Sequence, residues 1–164
     1  MSLSEELLKE FGTLARSATG AQSLMQRVAD ELHEKMTRYN WVGFYLMEAP
    51  AFDALVLGPC AGSFNPTLRI PLDKGLCGAA ATSGNTVAVN DVAHDPRYLG
   101  SDLVKSNIVV PIFVKNRVMA ELCIESYFGN TFTASEKEFV ESCAAIVGRA
   151  MEKECAPATG KTGK

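Results

Sequence analysis

At 164 residues, with 47% hydrophobic and 21% charged side chains, the chain is long enough to bury one substantial core and too short to favour two domains. A formal net charge of −3, with Lys and Arg scattered among Asp and Glu, leaves no basic face for a phosphate backbone, so nucleic acid is not an expected partner. No apolar run approaches the roughly 20 residues that span a bilayer, and the N-terminal stretch is Ser/Glu-rich, so the expectation is a cytoplasmic chain without a membrane partner. The five cysteines, at 60, 77, 123, 143 and 155, are odd in number and lack the close spacing of zinc sites or CxxC pairs. No metal, cofactor or disulfide framework is expected.

Ser2 and Glu5 have capping-box spacing, and Leu3, Leu7, Leu8, Phe11 and Leu14 recur at helical intervals, which predicts an amphipathic helix ending at Thr19-Gly20. Leu24, Val28, Leu32 and Met36 fall four apart and predict a second helix from about Ala21 to Tyr39. From Trp41 the period changes. Aromatic and β-branched residues over Trp41 to Met47 and again over Ala54 to Pro59 predict two neighbouring antiparallel strands. Leu68 to Pro71 is a short third strand, Lys74 to Gly78 leads into a small helix over Ala79 to Ser83, and Thr86 to Val89 is a fourth strand.

The stretch from Asn90 to Lys105 is polar and without period, which marks a long irregular connection. Asn107 to Val114 and Val118 to Ser126 form a hairpin through Lys115-Asn116-Arg117. On its second strand Ala120, Leu122 and Ile124 face one way and Glu121, Cys123 and Glu125 the other. Thr133 and Glu136 have capping-box spacing, and Phe139, Cys143, Ile146, Val147, Ala150 and Met151 line a long closing helix. Residues 1 to 155 are then one domain, and 156 to 164 a disordered tail. Its Gly160-Lys161-Thr162 mimics the end of a phosphate-binding loop, but Cys155 stands where that motif needs Gly.

With no βαβ alternation, the order predicts an α+β domain: a central antiparallel sheet of about six strands, three long helices on one face, loops and short helices on the other. A sheet face covered by loops is a natural cavity. Trp41 and Tyr45, four apart on one strand, project to the same side and can wall it. Strand parity adds Cys123 and Glu125 to the cavity face, Asn107 stands at a strand entrance, and Ser101 and Asp102 lie in the long connection that can cover them. Glu125 needs a partner or a ligand if it faces inward, whether an amine or hydroxyl of a metabolite or a structural salt bridge.

The segments Asn40-Trp41-Val42-Gly43-Phe44-Tyr45-Leu46, Leu55-Val56-Leu57-Gly58-Pro59, Gly75-Leu76-Cys77-Gly78-Ala79-Ala80, Asp91-Val92, Ser106-Asn107-Ile108-Val109-Val110-Pro111 and Phe132-Thr133 resemble the GAF-domain family. Within it they are most similar to the free methionine-(R)-sulfoxide reductases. The resemblance covers about residues 3 to 153 and implies the same sheet with helices on one face. It also implies a nucleophilic cysteine in the loop near 101, where this chain has Gly100-Ser101-Asp102, and a resolving cysteine near Thr67; the position of Cys77 is kept. The carboxylates that the resemblance assigns to the substrate ammonium correspond to Asn107, Cys123 and Glu125.

Sulfoxide reduction needs a thiolate that can pass through a sulfenic acid and a second thiol to resolve it, which Ser101 cannot replace. The expected role is therefore a non-catalytic module that binds a small metabolite for sensing, with no reduction of free methionine-(R)-sulfoxide at an enzymatic rate. Two alternatives stand beside it: a divergent reductase using Cys77 with Cys123 or another thiol, and a dimerising structural domain without ligand. Cys77 reads either as a thiolate in the first turn of the small helix or as a small buried residue, and Cys123 as cavity thiol or small hydrophobe. Cys143 reads as core, Cys60 and Cys155 as incidental, and His94 and Asp95 as a solvated turn. The stripe on the last helix suggests a homodimer through the first and last helices.

Overall fold

The computed structural model describes residues 1–17, 20–62 and 66–155. The tail from 156, expected to be disordered, and its phosphate-loop mimic lie outside the described residues. The elements run α1 (Leu3–Arg16), α2 (Ala21–Lys35), β1 (Trp41–Met47), β2 (Ala54–Gly62), β3 (Arg69–Pro71), α3 (Gly75–Ser83), β4 (Val87–Val89), β5 (Ser106–Val114), β6 (Arg117–Ser126) and α4 (Ala134–Cys155), with a single 3-10 turn at Val92–His94. The six strands form one sheet in the order β3-β2-β1-β6-β5-β4, antiparallel throughout. The predicted α+β architecture is the observed one.

Local chemistry explains the element ends. Ser2 and Glu5 form the expected capping box on α1. The second helix stops at Lys35, four residues short of the expected end, and Tyr39 turns inward, 2% exposed, to donate its hydroxyl to Glu136 at the start of α4. The β5–β6 hairpin closes through Lys115 and Asn116 alone, both with positive φ (52° and 68°), the pair of left-handed residues that matches strand twist in a two-residue turn. The small helix α3 begins four residues earlier than expected, at Gly75, whose φ of 68° admits the chain into it. That earlier start puts Cys77 in its first turn.

Side-chain alternation sorts the sheet into two faces, each with its own apolar cluster. Val42 and Phe44 of β1, Ile108, Val110 and Ile112 of β5, and Ala120, Leu122 and Ile124 of β6 join the buried faces of α1, α2 and α4. Helix α2 packs on β1 and β2, α4 packs on β5, and α1 lies across α2 and α4. Phe139, Cys143, Ile146, Val147 and Ala150 of α4 are buried in this same core, with Met151 half-buried against it. On the other face, Trp41, Tyr45, Leu55, Val109 and Cys123 pack with Leu76, Cys77, Ala80 and Ala81 of α3. Among the described residues no helix is long and apolar enough to cross a membrane.

Candidate functional site

Register converts face into neighbourhood. Across the β1, β6 and β5 strands, Trp41 pairs with Glu125 and Glu125 with Asn107; Gly43 with Cys123 and Cys123 with Val109; Tyr45 with Glu121 and Glu121 with Pro111. Three successive rows on the face opposite the long helices therefore carry an aromatic residue beside a carboxyl, a thiol beside a bare glycine, and a second aromatic beside a second carboxyl. Gly43 makes the middle row possible, because a Cβ there would collide with the Trp41 ring, 2.9 Å from Cζ3 and closer still to Cζ2 and Cη2. The Trp41 and Tyr45 rings meet over it, with centroids 6.2 Å apart.

A cavity of about 390 Å³ opens over these rows. Trp41, Tyr45, Asn107, Cys123 and Glu125 line it from the sheet, Cys77 from α3, and Ser101 from the connection after β4. Six of the seven residues expected to bind a ligand thus come together, and Cys77 with them. Asp102 does not: the Ser101 Oγ accepts the Leu103 N–H at 3.1 Å, and this turn leaves Asp102 exposed and off the cavity wall.

The polar groups are held by specific contacts. Asn107 donates Nδ2–H to the Ile124 carbonyl at 2.8 Å and to Cys123 Sγ at 3.5 Å. Tyr45 donates its hydroxyl to the Thr67 carbonyl at 2.7 Å, which ties the segment before β3 to the sheet. Tyr98 donates to Glu125 Oε2 at 3.3 Å and to the Ser101 carbonyl at 3.4 Å. Sequence reasoning does not single out Tyr98; it is the lone aromatic of the 90–105 connection, and that is the available signal.

Burial dominates the electrostatics. It pushes Glu125 up to about 7, against a smaller opposing pull from the Tyr98 hydroxyl. The Cys77 thiol is held well above its ordinary value, first by hydrogen bonding with Cys123, then by burial and by the nearness of the acidic groups around it. Two neighbouring thiols on the wall of one cavity are equipped to form a disulfide and to exchange it with a reductant. Cys60, incidental by its place in the sequence, packs against the same apolar cluster from β2 but is not on the cavity wall.

The model of the GAF domain matches residues 20–151, most of the chain. This chain belongs to the GAF domain family. Free methionine-R-sulfoxide reductase of Escherichia coli K12 is 31% identical over 147 residues, which cover 89% of this GAF domain and 87% of that protein. The yeast protein of the same name, from Saccharomyces cerevisiae, is 34% identical over 112 residues, 67% of this chain and 62% of its own. Among solved structures, free methionine-R-sulfoxide reductase of Neisseria meningitidis in complex with its substrate superposes with a TM-score of 0.86 at 30% identity, covering 94% of this GAF domain and 92% of that chain. These relatives overturn the expectation of a non-catalytic sensory module. That expectation weighs the missing loop thiol at 101 and leaves out what α3 does, which is to bring Cys77 into the same buried cluster as Cys123. The reductase alternative built on Cys77 is the better supported one.

The bare position at 43 gives a direct handle on the site, because Trp41 is the chain's single tryptophan. Gly43→Ala is expected to displace its ring, shift the emission spectrum and cost about 1–3 kcal/mol of stability by overpacking, measured by urea denaturation. Unchanged emission with unchanged stability would mean that the ring does not rest on Gly43.

Proposed function

We propose that this GAF domain reduces free methionine-(R)-sulfoxide, or a small sulfoxide of the same shape and charge, with Cys77 as nucleophile and Cys123 as resolving thiol. The observation that carries the reading is that these two thiols share one buried cluster with Trp41 and Tyr45 and line the same cavity, sized for one small molecule. Homology to the reductases supports it.

The chemistry balances without a metal or cofactor. Cys77 Sγ attacks the sulfoxide sulfur, the oxygen passes to Cys77 with the thiol proton, and the sulfide leaves as free methionine. Cys77 is now a sulfenic acid. Cys123 Sγ attacks it, a Cys77–Cys123 disulfide forms, and water departs. A small dithiol or a dithiol protein then takes the disulfide's place in oxidation, returning both thiols. Cys77 is given the first attack because it is the more exposed of the pair, 8% against 3%.

The other lining residues fit an amino-acid sulfoxide. Glu125, once ionised, is the partner for an ammonium group, steadied by Tyr98; Trp41 and Tyr45 receive the methylthio end; Lys74 at the mouth offers its charge to a carboxylate. The redox pair would then differ from that implied by the resemblance, the loop position carrying Ser101 and the second thiol standing on β6. The test is methionine release from the separated R and S epimers with dithiothreitol as reductant, followed by chromatography. Thiol-dependent release from the R epimer is expected; no release from either epimer would overturn the proposal.

A further inference from the structure

Behind the thiol pair lies a group for which neither the fold nor the reaction above accounts. Glu121 is 0% exposed, and neither of its carboxyl oxygens has a hydrogen-bond partner of acceptable geometry. Leaving a polar group in this condition is unfavourable, and an apolar residue of similar size would avoid the cost. The side chain is held on the cavity face of β6 by parity, two residues from Cys123, but it is not on the cavity wall. Cys77, which does line the cavity, is close enough for its thiol to act on the ionisation of the carboxyl. Because the oxygens lack a formed hydrogen bond, the contact with Cys77 is one of proximity rather than a fixed pair.

The surroundings decide which protonation state the fold holds. From α3 Glu121 meets Cys77; from β1, Tyr45, whose proton is already given to Thr67; along β6, Cys123 and Glu125; and from β5, Pro111 and Val109, which do not titrate. Each of these titratable neighbours is neutral or negative. Burial accordingly pushes the carboxyl well above its ordinary range, which favours the acid form.

We propose that Glu121 is the internal proton shuttle of the Cys77–Cys123 couple, giving its carboxyl proton to the hydroxide that leaves Cys77 as the disulfide forms and taking back the proton of the Cys123 thiol. Atoms and charge balance: Cys77–SOH and Cys123–SH become Cys77–S–S–Cys123 and water, the Cys77 sulfur is reduced, the Cys123 sulfur is oxidised, and Glu121 ends protonated as it began. A sealed site gains from such a group because water cannot reach the sulfurs from that side. Direct protonation of the sulfoxide oxygen in the cavity is outside its reach, so its effect falls on the second step. The inference rests on the thiol pair of the proposed function but not on a sulfoxide being the oxidant.

Hydrogen peroxide provides a test that survives failure of the reductase reading, since it converts a thiol to a sulfenic acid with release of water. The reduced protein is mixed with peroxide, and disulfide and sulfenic acid are followed by mass spectrometry with a 1,3-diketone trap, from pH 5 to 9. In Glu121→Gln, which keeps shape and removes the proton, sulfenic acid on Cys77 is expected to accumulate and its condensation to slow by about a hundredfold at neutral pH. Glu121→Asp, which keeps an acid one carbon further back, is expected to recover part of the rate. Equal condensation rates in the parent and Glu121→Gln, with the same pH profile, would overturn the proposal. Should Glu121→Gln fail to fold, Glu121→Asp is compared alone, and a parent-like rate in it at every pH, insensitive to retraction of the acid, counts against the shuttle.

Discussion

Cys77→Ser is expected to lose thiol-dependent sulfoxide reduction by roughly a thousandfold or more, to the rate of dithiol alone. The size follows from the chemistry: a hydroxyl at this position has neither the acidity nor the redox ladder of a thiol, so no partial route remains through residue 77. Cys123→Ser is expected to behave differently. Its first step is intact, so one methionine per chain appears in a single-turnover experiment, a sulfenic acid persists on Cys77, and steady turnover falls because the external dithiol must resolve it. Rapid quench with methionine analysis separates the two variants, and the trap adduct identifies the oxidised residue by mass. Cys60→Ser, off the cavity wall, is expected to keep full activity. Full turnover in Cys77→Ser, or a burst of methionine in Cys77→Ser with none in Cys123→Ser, would reverse the assignment of roles.

Glu125→Gln is expected to raise KM for a cationic amino-acid sulfoxide roughly tenfold to a hundredfold, the equivalent of about 1.5–3 kcal/mol for a charged hydrogen bond, with a smaller change in kcat. The pH dependence is the sharper readout. Burial places the free carboxyl at about 7, so below that value an ammonium must first displace a proton to find its partner. In the parent, kcat/KM is expected to climb as pH rises through about 7 and then level; in Glu125→Gln the climb is absent. Stability without ligand follows the opposite course. A carboxyl whose folded value lies above its unfolded value of 4.5 favours the fold when protonated, so its contribution is full below pH 4.5 and is lost as pH rises to about 7. The loss amounts to ~2–3 kcal/mol, less whatever solvent reaches the group. Glu125→Gln is therefore expected to be more stable than the parent at pH 8 and equal to it at pH 4. Urea denaturation at the two pH values measures this, and a variant less stable at pH 8 would mean that Glu125 holds the fold together through its charge.

Both experiments work on residues of the sheet's cavity face, and much of that face is legible in the sequence alone. The alternation of Glu121, Cys123 and Glu125 against Leu122 and Ile124 is a local property of an extended chain, and so is the common side of Trp41 and Tyr45. The helix stripes around Leu24 and Val28 and around Cys143 and Val147 are equally local, which is why the layered α+β architecture follows from period and order alone.

Which residues touch is another matter, because parity assigns a face and says nothing of neighbours. The register that sets Gly43 beside Cys123 and Tyr45 beside Glu121 depends on strand pairing across about 80 residues of chain. Helix α3 carries no amphipathic stripe that could aim it, being small and apolar all round, so its docking of Cys77 onto Cys123 comes from the shape of the sheet and not from a pattern in Gly75–Ser83. Tyr98 reaches Glu125 because an irregular connection folds back over the cavity, and such connections have no period to read. Glu121 looks like its alternating neighbours in the sequence. Only the packing of α3 over it, which removes water and supplies no partner, makes it different in kind from Glu125 four residues away.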